Sequence, residues 1–168
     1  MIKDRFLLGV VAGTLGNIAK TAVDEISLRM KISQGSFRST AAGVWLPRKA
    51  QAKSAKGQLL GEMLDFGMAI TGGVSIVQLL TATGRDQIIV KGLASGIMFG
   101  SAISAALSAL PTNKARPKDA ASNLSYVLSH AVFGLVTTTA AANLGDDTLF
   151  TEKSPFSNLK RMVASNVK

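Results

Sequence analysis

Three long uncharged stretches constrain the fold of this chain more than any other feature of its sequence. They occupy residues 66–84, 92–113 and 120–145, and the last two exceed the roughly 18 residues that indicate a transmembrane helix. A fourth apolar stretch, over residues 6–30, carries a few charges. We therefore predict an all-α fold, a four-helix transmembrane bundle. Its spans are expected at about residues 6–28, 57–83, 88–110 and 120–144.

One face of the first predicted span is polar despite its apolar surroundings. Asn17, Lys20 and Asp24 recur at spacings of three and four residues, in line with Gly9 and Gly13, which places them on one side of a helix. A charge in hydrocarbon costs about 2.5–3.5 kcal/mol on insertion scales, so such a side chain normally faces a bundle interior or a wet cavity. We expect this face to turn inwards. The rival interpretation of the stretch is a secretory signal peptide, although Lys20 lies within the region where cleavage would be expected.

Further ionisable residues are expected in the same half of the membrane. Because consecutive spans alternate in direction, the end of the first span lies beside the beginnings of the second and fourth. This geometry predicts a one-sided polar vestibule in which Lys20 pairs with Asp24, Glu62 or Asp65. Its candidate residues are Asn17, Lys20, Asp24, Glu62, Asp65, Tyr126 and His130.

Each vestibule residue also has a simpler interpretation. Lys20 can extend its side chain to the headgroups, since it lies close to the end of its span. Glu62 and Asp65 suit the first turn of a helix, where negative charge is favourable. His130 is compatible with a packed residue that is hydrogen-bonded to a neighbouring helix.

Small residues recur every fourth position, as in GxxxG packing. They place a groove along a helix in which another backbone can approach closely. The sequence therefore predicts helix packing at these positions and indicates no activity. The predicted packing residues are Gly9, Gly13, Gly92, Gly96, Gly100 and Ser104.

The first connection is basic, with seven Lys or Arg over residues 29–56. Trp45, Arg48 and Lys49 are predicted to form an interfacial anchor, because Trp favours the headgroup region; an ordinary solvated loop is the alternative. The vestibule-side loops hold ten Lys or Arg and the other side holds eight. This excess favours a cytoplasmic vestibule with both termini outside. Residues 1–145 form the predicted transmembrane domain, followed by a polar tail over residues 146–168 with a short helix near residues 158–163.

The composition excludes several kinds of site. Cysteine is absent and there is a single His, so disulfides, thiolate metal sites and a His-rich metal motif are excluded. Residues 13–21 end in Lys-Thr but lack the glycines of a phosphate-binding loop. We find no catalytic motif, and we expect no enzymatic activity, no cofactor and no bound metal.

Four segments of the sequence carry a resemblance to a known family. They read GNIAKTAVDEIS, AAGVWLPRKAQAKSAKGQLLGEMLDFG, TGRDQIIVKG and ALSALPTNKARPKDAASNLSYVLSHAVFGL. Together they resemble an uncharacterised family of small, four-span integral membrane proteins of Gram-positive, clostridia-like bacteria. The resemblance implies a multi-pass protein of a bacterial cell membrane. It implies no activity that can be assigned to particular residues.

Three classes of function are compatible with the sequence. The first is a transport or permeation component that uses the polar vestibule. The second is a structural or assembly protein that packs through small-residue helix faces, as a homo-oligomer or with a membrane-protein partner. The third is a soluble, basic, helical protein that binds nucleic acid, since the net charge is +9. The apolar stretches favour the lipid bilayer as the partner of the basic loops, and no nucleic acid is expected.

Overall fold

The computed structural model describes residues 1–150, and over that range the chain is helical. The six α-helices are α1 (Arg5–Arg29), α2 (Phe37–Ala42), α3 (Lys49–Lys53), α4 (Ala55–Thr83), α5 (Ile88–Ala109) and α6 (Ala120–Leu144). A 3-10 turn, Asp147–Leu149, follows them. The predicted all-α bundle is confirmed, since the four long helices pack together.

The helices α1, α4, α5 and α6 are each long and apolar enough to cross a membrane. Local sequence signals explain where three of them begin: the side chains of Asp4, Ser54 and Asp119 each accept a hydrogen bond from a backbone N–H in the first turn of the helix that follows. Between α4 and α5, Gly84 ends the helix with φ 82°, a value that L side chains rarely adopt. The fold therefore has four helices that could each span a membrane, as in a multi-pass membrane protein.

The long helices do not contact one another equally. Helix α1 packs against both α4 and α6, whereas α5 packs along α6 and barely touches α4. The close approaches are antiparallel, because Gly9 lies against Val74 while Gly13 lies against Ala69. The bundle is consequently closed around α1 and open along one side, between α4 and α5.

The end of the bundle that holds both termini of the domain is tied together by backbone hydrogen bonds. Ile2 N donates to Leu144 O at 2.8 Å, and Asp146 N donates to Ile2 O at 2.9 Å. Leu149 and Phe150, which the sequence analysis assigned to the polar tail, are buried in the apolar core of this end. The short helix predicted near residues 158–163 lies outside the described residues.

The basic first connection enters the bundle at the opposite end. Phe37–Ala42 form α2, whose side chains are mostly buried and pack against α4. Its N-terminal cap is Ser36, which accepts a hydrogen bond from Ser39 N. This segment is a short helix inserted among α1, α4 and α6. The residues of the predicted interfacial anchor follow it in the chain.

Candidate functional site

Lys20 and Asp65 form a buried ion pair between α1 and α4. Lys20 Nζ lies 2.6 Å from Asp65 Oδ2, and each side chain is only 3% exposed. Asp65 was one of the three partners that the sequence analysis proposed for Lys20. Burial of both charges makes each dependent on the other, because a buried charge that loses its partner is strongly destabilising.

Phe37, the first residue of α2, covers this ion pair. Lys20 Nζ lies 4.7 Å from the centroid of the Phe37 ring, within the range of a cation–π interaction. The same ring packs edge-on against Tyr126 at 5.3 Å and against His130 at 4.8 Å between centroids. One aromatic side chain from the linker thus contacts three of the predicted vestibule residues.

Asp24 holds the beginning of α2 rather than a cation. Its Oδ2 accepts a hydrogen bond from Phe37 N at 2.9 Å. Its Oδ1, and the buried Oδ1 of Asn17, have no hydrogen-bond partner among the described residues. A carboxylate at a helix N-terminus is favourable, so Asp24 secures α2 while leaving polar atoms in the core that a solute or water can satisfy.

Tyr126 and His130 lie one turn apart on α6 and line the same region. The Tyr126 hydroxyl donates to Gly35 O at 2.8 Å and lies 3.2 Å from Thr40 Oγ1. His130 Nδ1 is 2.7 Å from Tyr126 O; because a carbonyl only accepts, Nδ1 is the donor. His130 Nδ1 is thus bonded within its own helix, not to a neighbouring one.

Glu62 does not join the buried group. Its carboxylate pairs with Arg38 Nη1 at 3.4 Å, and Arg38 Nη2 lies 3.3 Å from Glu25 Oε2. These side chains are partly exposed and lie at the rim. The structure therefore brings five of the seven predicted vestibule residues together around Phe37, with Glu62 on the perimeter. The remaining one, Asn17, is buried on α1 one turn before Lys20.

Two cavities adjoin the ion pair. A very small one, of about 10 Å³, is lined by Lys20, Asp65 and His130 among others, which is at the lower limit for a single water. A larger groove of about 430 Å³ lies between α4 and α5. Apolar side chains dominate it, Asp65 and Thr71 supply polar atoms, and Phe37 and Trp45 also line it. A narrow polar chamber thus lies beside a wide apolar groove.

The predicted packing glycines are used inside the bundle. A Cβ on Gly9 or Gly13 would overlap α4, and one on Gly92, Gly96 or Gly100 would overlap α6. Ser104 is only partly buried, and its hydroxyl has no partner among the described residues.

Sequence reasoning missed several further glycines at such contacts, among them Gly57, Gly61, Gly73 and Gly134. A Cβ on Gly57 or Gly61 would overlap the backbone of the α2–α3 segment, and one on Gly73 or Gly134 would overlap the facing long helix. The spacing of Gly57 and Gly61, four residues apart at the beginning of the second span, is the small-residue signal that could have revealed the inserted segment.

The proposed anchor residues lie at the same end of the molecule. Trp45 is 69% exposed at the rim of the groove. Arg48 precedes α3, and Lys49 begins it; both are exposed. Their placement is compatible with a headgroup contact, which stays a prediction.

The arrangement suits binding and proton or ion handling better than covalent chemistry. Within residues 1–150, no group of three or more His, Asp or Glu side chains is placed to hold a metal ion. What the site offers is a lysine, two carboxylates and an imidazole beside the short helix α2. Comparison with known protein families, with curated proteins and with solved structures finds no match.

Proposed function

We propose that this chain is a transport or permeation component of a membrane, captured with its one-sided polar site occluded by α2. The observation that carries the proposal is the Lys20–Asp65 pair, buried between two apolar helices. Ionisable residues in such a position are costly and usually mark a pathway for ions or protons. Packing alone gives no reason to keep them, because a well-packed apolar pair is often as stable as a buried ion pair.

Two neighbouring features support a permeation role. Asp24 and Asn17 each have a buried side-chain oxygen without a hydrogen-bond partner among the described residues. Such unsatisfied polar atoms are unusual in the core of a folded protein. Helix α2 has only six residues, and its first residue, Phe37, covers the Lys20–Asp65 pair. Displacement of α2 would expose the pair to water on one side while the opposite end stays packed.

The experiment is proton and ion flux in proteoliposomes. The parent protein should dissipate an imposed pH or K⁺ gradient faster than protein-free vesicles. Lys20→Met/Asp65→Asn removes both charges of the pair at once, so neither partner is left buried alone. We expect this double variant to remain a monodisperse bundle in detergent and to lose the flux.

The matched control is Lys91→Gln/Asp86→Asn, which removes a Lys–Asp pair at the opposite end of the bundle. It should keep parental flux. A parent that dissipates neither gradient faster than empty vesicles, or a Lys20→Met/Asp65→Asn variant with full flux, would contradict the proposal.

The alternative is a structural or assembly role. It is favoured by α5, which has few contacts with α4 and leaves room along that side for a helix from another subunit or partner. The glycine faces are already occupied within the chain, so assembly would use the exposed apolar side of α5 instead. Under this alternative, the parent and the Lys20→Met/Asp65→Asn variant would both show only the flux of protein-free vesicles. Cross-linking would report a stable oligomer.

We further propose a bacterial cell membrane as the location, on the resemblance noted in the sequence. The basic connections at the α2 end favour a cytoplasmic position for that end. Labelling of single cysteines introduced at Lys56 and Asp86, with a membrane-impermeant maleimide on intact cells, tests the orientation. Asp86 should be labelled and Lys56 protected.

A further inference from the structure

A second, strongly basic pocket lies outside the buried site, at the end of the bundle that α2 occupies. It is formed by the α2–α3 segment and by the connection between α5 and α6, and its volume is about 50 Å³. Four of its lining residues are cations: Lys49, Lys53, Arg116 and Lys118. The volume is several times the roughly 10–15 Å³ that a cavity needs to hold one water, so the pocket has room for a compact polar group.

Two of these cations are fixed in place and two are available. Lys53 Nζ donates to Gln34 O at 3.2 Å, and Arg116 Nη1 donates to Ser108 O at 2.9 Å. Lys49 and Lys118 make no side-chain hydrogen bond within residues 1–150, and they come from opposite sides of the pocket. Lys53 and Arg116 are therefore held by hydrogen bonds at the pocket, whereas Lys49 and Lys118 can bind a ligand.

No carboxylate lines this pocket. Asp119 follows Lys118 directly, but its Oδ1 accepts a hydrogen bond from Ser122 N at 2.8 Å and caps α6. Glu25 and Glu62 are both paired with Arg38. The four cations are exposed to solvent and no carboxylate lies among them in the pocket lining, so an anion that enters meets positive charge alone.

We propose that this pocket binds a phosphate group. Phosphate offers several acceptor oxygens to converging Lys and Arg donors, and such charge-assisted hydrogen bonds are the strong ones. Basic pockets between transmembrane helices on the cytoplasmic side suit anionic headgroups in the same way. The group is supplied either by an anionic lipid or by a soluble phosphate compound. This inference does not rest on the permeation role, because none of the buried ion pair lines the pocket.

The test compares two double variants of the full chain. Lys49→Gln/Lys118→Gln removes the two available cations. Lys56→Gln/Lys114→Gln removes the same charge from the same two connections without touching the pocket lining. Lys49→Arg/Lys118→Arg keeps the charge and is the rescue.

Two arms separate the sources of the phosphate. In the first, thermal unfolding is followed in nanodiscs of phosphatidylglycerol and of phosphatidylcholine. In the second, inorganic phosphate is titrated in a neutral detergent, with sodium chloride at equal ionic strength as the reference. A rise of the unfolding midpoint in phosphatidylglycerol alone assigns a lipid headgroup, and a rise with inorganic phosphate assigns a soluble ligand.

In the arm that responds, we expect Lys49→Gln/Lys118→Gln to weaken binding about tenfold or more, because two charged hydrogen bonds are lost. The Arg rescue and the Lys56→Gln/Lys114→Gln control should bind like the parent. The proposal would be overturned by an absence of response in both arms, or by equal weakening in the pocket and control variants.

Discussion

Toward Ile2 and Gly145, α1 and α4 meet backbone to backbone, whereas toward α2 the same two helices hold a charged pair between them. At the first end, Gly9 and Gly13 lie against Ala69, Gly73 and Val74. At the second, α1 and α4 are bridged by Lys20 and Asp65, with Phe37 above them.

This difference explains how one helix pair can be both rigid and polar. The apolar end gains its stability from close packing, in which small residues let the helices touch. That contact fixes the two helices, so the other end can accommodate charges and an inserted helix without loss of the fold. The two ends should therefore respond differently to the same kind of substitution.

Gly73→Leu should have the largest effect, because it disrupts the apolar end. A side chain there would overlap the backbone of Gly9 and Gly13 on α1, so α1 and α4 cannot keep their contact with a Leu between them. We expect the folded bundle to be lost, as judged by size-exclusion chromatography and thermal unfolding in detergent. Gly67→Leu is the matched control on the same helix, since nothing lies within 4 Å of a Cβ at Gly67. Equal behaviour of the two variants would contradict the packing argument.

Lys20→Met should be the most damaging single change at the polar end. It leaves Asp65 buried without its partner, which costs about 3–5 kcal/mol for a buried pair. Thermal or denaturant unfolding in detergent measures the loss. Arg29→Met is the control on the same helix, because its pair with Glu25 is exposed and worth about 0–1 kcal/mol. A loss at Lys20 no larger than at Arg29 would indicate that the lysine is hydrated.

Gly61→Leu should release α2 while sparing the four long helices. A Cβ at Gly61 would overlap the backbone of Arg38 in α2, so the short helix must move. The chain has no cysteine, so a single cysteine at the buried Ser39 reports exposure by maleimide labelling. We expect fast labelling with Gly61→Leu and slow labelling with Gly67→Leu, at little change in helix content. Slow labelling in both would show that α2 tolerates the change.

The sequence predicted the four long helices because uncharged runs of this length have few other structures available to them. It also predicted that Lys20 has an acidic partner, since span order places Asp24, Glu62 and Asp65 in the same half of the membrane. It could not select Asp65, because the choice depends on how α1 rotates against α4, and that rotation is fixed by glycine contacts with Gly73. It also missed α2, because Phe37–Ala42 are too short for helical periodicity to show.

The smallest expected effect concerns pH and the α6 cap at the polar end. The hydrogen bond from Ser122 N lowers the pKa of Asp119 below its ordinary value of 3.8. Because the folded pKa is the lower one, the stability from this cap is complete above the unfolded value and declines as pH falls through the folded pKa. Asp119→Asn should therefore show a shallower loss of thermal stability than the parent between pH 5 and about pH 2. If thermal stability fell equally steeply with pH in the two proteins, Asp119 would not contribute to the pH dependence of stability.

The most direct test of the central claim, that Lys20 is paired across helices with Asp65, is a double-mutant cycle on unfolding in detergent. We predict that Asp65→Asn restores part of the stability lost in Lys20→Met, because it neutralises the stranded carboxylate. Asp24→Asn and Glu62→Gln should restore none, since Asp24 binds Phe37 N and Glu62 binds Arg38. Strict additivity of Lys20→Met with Asp65→Asn would contradict the buried pair, and with it the polar site on which the permeation role rests.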